Sequence, residues 1–135
     1  MVIIKIIAGP YAGQVRRVRD NRFRGMPVDP VRLLTQLMQR GSRWEIDYSQ
    51  ADRNEIVDWG RADLTVRYLR ALYEGRPVRF MGGEYRATAG DQKEAVAIGQ
   101  QIEDIVSTSG HYVFLESDDE NGVSIGIGPR EHRLQ

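Results

Sequence analysis

The chain has no cysteine, which removes disulfides, thiolate metal sites and a cysteine nucleophile together. Histidine occurs only at His111 and His132, and neither has a zinc-ligand partner at helical or finger spacing. No stretch approaches the ~18 consecutive apolar residues that a membrane span needs. The opening MVIIKII is apolar but too short and wrongly flanked for a signal peptide, so cytoplasmic residence is the expectation. No serine sits in a G-x-S-x-G elbow. GIGPRE, from Gly126, lacks the third glycine of a dinucleotide loop, and six residues after Pro129 are too few for the helix such a loop opens. Lysine is also scarce: of 19 basic residues 17 are arginine. Guanidinium forks suit phosphates and carboxylates, although a compositional bias of the genome would give the same ratio. These absences point to a binding module without a cofactor rather than a catalyst.

What is present fits one globular domain over 1–135. At 135 residues, 41% hydrophobic and 28% charged, the chain is long enough to bury a core and too apolar to be wholly disordered. Net charge is zero but unevenly spread. Residues 1–43 carry nine basic and two acidic side chains, and residues 91–120 carry one basic and eight acidic.

The pattern along the chain predicts hairpins alternating with helices. VIIKIIA, residues 2–8, reads as a strand covered on both faces. Gly9-Pro10-Tyr11-Ala12-Gly13 reads as a turn, and 14–19 as a strand returning antiparallel, a basic hairpin over 2–20. Asp29-Pro30 starts a helix with its stripe at Val31, Leu34, Leu37 and Met38, ended by Gly41. RWEIDY, 43–48, alternates as a half-buried strand. A long helix over 50–74 follows, with Asp52 and Glu55 at capping-box spacing and one face of Ile56, Trp59, Val66, Leu69 and Tyr73, widened by Leu64, Tyr68 and Leu72. Next come a hairpin turning at Gly82-Gly83, a helix from Asp91 with a stripe of Ala95, Ile98, Ile102, Ile105 and Val106, and a hairpin over 111–128 turning at Asn121-Gly122. The order favours an α+β fold: a mostly antiparallel sheet built from hairpins, with about three helices packed on it.

The segment IIAGPYAGQVRRV, residues 6–18, resembles a KOW motif, the β-hairpin element of certain ribosomal proteins and transcription elongation factors. The features carrying the resemblance are the apolar strand, the Gly9-to-Gly13 turn and Val18. It implies contact with RNA or with the transcription–translation machinery. The residues themselves allow the same reading. Arg16, Arg17, Arg19, Arg22 and Arg24 follow the turn as phosphate contacts, Tyr11 is placed to stack on a base, and Gly9 and Gly13 permit the turn. The plainer alternative is a hairpin whose solvated arginine edge resists aggregation. A second alternative pairs this basic end with the acidic carboxy-terminal region in a charge-complementary homo-oligomer.

Other charged groups read as structural. Glu55 and Asp58 share a helix face, yet Arg53 and Arg61 nearby suggest an ion-paired surface. ESDDENG, 116–122, lacks the register of a calcium loop and reads as a hairpin loop of solvated acids.

Overall fold

The computed structural model describes residues 1–128, so the readings placed on Pro129 and His132 lie outside the described residues. The fold is α+β with mostly antiparallel pairing, and the chain divides into two compact units, Met1–Val66 and Arg67–Gln135. The strands do not form the single sheet expected. They form a three-stranded sheet and a small ribbon in the first unit and a four-stranded sheet in the second.

In the first unit, β1 (Val2–Ala8) pairs antiparallel with both β2 (Val15–Val18) and β5 (Arg43–Asp47). Paired residues point to one face. Val2, Ile4 and Ile6 therefore share a face with Val18, Ile46 and Trp44. That face forms a core with Leu33, Leu34 and Leu37 of α1 (Pro30–Gln39) and Trp59, Ala62 and Val66 of α2 (Arg53–Tyr73). The opposite face carries Ile3, Lys5 and Ile7, so the near-continuous apolar run of β1 lies on a sheet with one core side. Ile3 is still buried there, while Ile7 is exposed.

Both tryptophans are buried with their N–H groups satisfied, as a desolvated indole requires. Trp44 Nε1 donates to Asp63 Oδ1 at 2.7 Å, and Trp59 Nε1 to Asn21 Oδ1 at 3.1 Å. Asn21 lies in a tight turn with Asp20, at φ 55° and 52°, the pair of positive φ values of a type I′ turn. A second such turn, Arg24-Gly25, joins β3 (Arg22–Phe23) to β4 (Met26–Pro27). These two turns were not visible as strand pairing in the sequence.

α1 starts and stops as predicted. The Asp29 carboxylate accepts from Arg32 N–H, and Pro30 opens the first turn. At its end Ser42 N–H donates to Leu37 O and Gly41 N–H to Met38 O, a Schellman closure around Gly41 at φ 76°. Val31, expected on the buried stripe, is exposed, and Leu33 takes its place.

α2 departs further from its expected face. Ile56 and Tyr73 are exposed, whereas Glu55, Trp59, Ala62 and Val66 line one buried row and Tyr68, Ala71 and Leu72 another. Two buried rows on one helix blur a single stripe. Glu55 is buried with its Oε1 accepting two hydrogen bonds, while its Oε2 has no hydrogen-bond partner. It closes a reciprocal capping box with Asp52 (3.1 and 2.8 Å) and accepts from the Met1 amine at 2.8 Å.

The second unit holds the four-stranded sheet, ordered β7-β6-β9-β8. Its strands are β6 (Val78–Phe80), β7 (Gly83–Tyr85), β8 (Tyr112–Asp119) and β9 (Gly122–Gly128). β6 and β9 run parallel, and every other pair is antiparallel. The hairpin turns sit one residue earlier than expected, at Met81-Gly82 and Glu120-Asn121, because Phe80 pairs with Gly83 and Asp119 with Gly122. α3 (Gln92–Ser109) is capped by the Asp91 carboxylate at 3.0 Å and ended by Gly110. It buries Ala95, Gly99, Ile102 and Val106. Gly126 marks a close approach: a Cβ there would lie 2.5 Å from the Phe114 ring.

Candidate nucleic-acid interface

The β1–β2 turn is fixed by backbone bonds from Gly13 to Ile6 (2.8 Å) and from Ala12 to Gly9 (3.2 Å). Gly9 is needed twice. Its φ is +97°, and a Cβ would fall 2.7 Å from Gly41 O, where no atom fits. This close approach locks the turn against the loop between α1 and β5. Tyr11 is thereby held beside Arg40, the last residue of α1's cap. Gly13, at φ +92°, meets nothing within 4 Å and supplies backbone conformation alone.

β2 is an edge strand, and its arginines point to both faces. Arg16 shares the core face with Ile4, while Arg17 lies opposite Ile3 on the outer face. Arg19 and Arg22 bridge across the Asp20-Asn21 turn, and Arg24 occupies the next turn with its guanidinium 5.0 Å from the Phe23 ring. Arg17, Arg19, Arg22 and Arg24 are exposed and Arg16 is half-buried. The five guanidiniums thus straddle the free edge rather than paving one face.

None of these five makes an ion pair with a carboxylate among the described residues. The outer face is not free of acid, since Glu45 and Asp47 sit across β1 on β5. Asp47, however, pairs with Lys5 at 3.8 Å and accepts from Ser49 N–H at 2.9 Å. The hydrogen bonds from Ser49, then Lys5, hold its carboxyl below the ordinary value against the opposing effect of desolvation.

Tyr11 has company on its ring. The Arg16 and Arg40 guanidiniums each lie 5.7 Å from its centroid, within cation–π range, and Arg40 also donates to the Tyr11 hydroxyl. A ring so engaged orients guanidiniums. Arg40 was invisible as a site residue in the sequence, where it is only the residue before a helix-ending glycine.

The acidic segment 116–122 differs from its expected solvated loop. Asp118 lies in β8 with its side chain 4% exposed and meets three arginines. Its Oδ2 is 3.0 Å from Arg67 and 3.2 Å from Arg70, and its Oδ1 is 3.2 Å from Arg76. Arg76 also donates to Asp119 O at 2.6 Å and bonds Glu74 at 2.8 Å. Burial alone would push the Asp118 carboxyl up. The hydrogen bond and charge of Arg67, the charge of Arg70 and the bond from Arg76 outweigh it and hold the carboxyl low. The cause of the inward turn is a bulge between Leu115 and Ser117. The bulge shifts the two-residue alternation by one, so Asp118 pairs inward beside Val123.

The other carboxylates considered for chemistry are spoken for or apart. Glu55 serves Asp52 and Met1, and Asp63 serves Trp44. Among the described residues no three His, Cys, Asp or Glu side chains gather as a metal site, and no helix is long and apolar enough to cross a membrane. The second unit also has an open groove of about 370 Å³ between Arg79, Met81, Glu84, Glu116 and Ser124. Two carboxylates flank its single guanidinium. No known family, no curated protein and no solved structure matches this chain.

Proposed function

We propose that residues 1–66 carry a polyanion-binding surface whose partner is RNA. The observation that supports it is the run Arg16 and Arg17 on the free edge strand β2, then Arg19, Arg22 and Arg24 in the turns that follow it, with no carboxylate paired to any of them among the described residues. Seventeen arginines in a chain of zero net charge leave ample acid to neutralise an idle edge. The edge nevertheless stays charged, while three arginines of the second unit share one aspartate. An extended row of forks suits a flexible strand of phosphates better than a compact small anion. The same charge opposes pairing of two copies through β2, because arginine would face arginine.

The test is fluorescence anisotropy of single-stranded RNA at increasing salt. Five phosphate contacts on a single strand predict a slope of log K against log salt of about −3.5. Absence of affinity, or a flat response to salt, overturns the reading. A salt-sensitive oligomer that ignores RNA would replace it with the homo-oligomer.

A further inference from the structure

Tyr11, Arg16 and Arg40 form a cluster rich in donors, with the Tyr11 oxygen as its one side-chain acceptor. Arginine has five N–H donors and no acceptor. Arg40 spends one N–H on the Tyr11 oxygen. That oxygen, already accepting, keeps its own O–H to donate outward. Arg16 bonds no carboxylate among the described residues, and its guanidinium lies against the same ring. The negative end of α1 accounts for a cation at Arg40. It does not account for a second cation, Arg16, brought to the same tyrosine from a different strand. Two like charges are held near one ring by the Gly9–Gly41 approach, with no acid between them.

We propose that this cluster receives a phosphate monoester, the phosphorylated end of an RNA strand. The inference rests on the RNA reading above and sharpens it. Two guanidiniums match the charge of about −1.5 to −2 on a monoester at neutral pH, whereas an internal diester carries a single negative charge. The forks of Arg16 and Arg40 and the Tyr11 hydroxyl supply hydrogen bonds to its oxygens.

The experiment compares three strands of one sequence, bearing a 5′-phosphate, a 3′-phosphate or hydroxyls at both ends. The wild-type protein is expected to bind one phosphorylated strand about tenfold more tightly than the hydroxyl strand, the value of one charge-assisted hydrogen bond. The 5′ and 3′ arms tell which end is taken. Arg40→Gln, an exposed substitution with no core contact to disturb, is expected to erase that preference. Arg40→Lys keeps the charge, loses the fork and is expected to lose most of it. Arg17→Gln should weaken all strands equally and leave the ratio intact. Equal binding of all three strands by the wild type, or a preference that survives Arg40→Gln, overturns this inference while the RNA reading stands. Failure to bind any strand removes both.

Discussion

Arg16, Arg17, Arg19, Arg22 and Arg24 stand along an edge with no carboxylate partner among the described residues, whereas Arg67, Arg70 and Arg76 converge on Asp118. One residue type serves two ends. Where the guanidiniums are buried, they are matched by acid and hold helix to strand. In the run from Arg16 to Arg24 they are matched by no carboxylate among the described residues and remain available to a partner. Removal of charge should therefore damage stability in the second unit and binding in the first.

The largest expected effect is at Asp118. Replacing it with Asn keeps the shape and removes the buried carboxylate that three arginines share, of which Arg70 is 8% exposed. Breaking a buried pair in this way costs about 3–5 kcal/mol. Urea unfolding of Asp118→Asn should show that loss, and Arg17→Gln should change stability by less than about 0.5 kcal/mol. The same carboxylate sets an acid limit. Its folded pKa lies below the ordinary value of 3.8. Its contribution is thus complete above that value and is lost as pH falls through the lower folded one. The wild type should destabilise progressively as pH falls below the ordinary value of 3.8, and Asp118→Asn should do so less steeply. Equal stability of the two proteins at pH 7 would break the contrast between the units.

A smaller effect is expected at Gly9. Alanine there must adopt φ +97° and push Gly41 away. Strained backbone of this kind costs about 1–3 kcal/mol. The informative part is where the loss appears. If the turn holds Tyr11 to Arg40, Gly9→Ala should also reduce the preference for phosphorylated RNA ends. Gly13→Ala, strained in φ but sterically free, should leave that preference unchanged.

What the sequence revealed follows the range of each interaction. β1, the Asp29-Pro30 helix start, the Gly41 stop and the Asp52–Glu55 box all read correctly, because each depends on neighbours within a few positions. The Asp118 cluster did not, because the acids read as a solvated hairpin loop, whereas β8 extends to Asp119 and one extra residue at Glu116 turns Asp118 inward. A faint signal was present in α2: Arg67 and Arg70, three apart, are embedded in its most apolar stretch. Charges spaced that way among buried neighbours require an acid from elsewhere. The arginines after the first turn were visible in the sequence, but not the division of Arg16 and Arg17 between two faces, since β2's partner and register were unknown. Arg40 carried no signal at all, because its approach to Tyr11 arises from a contact between two loops.

The smallest expected effect separates arginine as charge from arginine as geometry. The triple change Arg17→Lys, Arg19→Lys and Arg22→Lys conserves every charge on the edge while removing three forks. Phosphodiesters along a mobile strand respond mainly to charge through counterion release. The triple variant should therefore bind single-stranded RNA within about twofold of the wild type and keep the same salt slope. A much larger loss would mean that the edge reads phosphate geometry, as the Tyr11 cluster is proposed to do. The predominance of arginine over lysine would then be functional there, and not a trait of composition. A neutral result assigns the demand for forks to the one place where two guanidiniums are held against a ring, and leaves the rest of the edge as a band of charge.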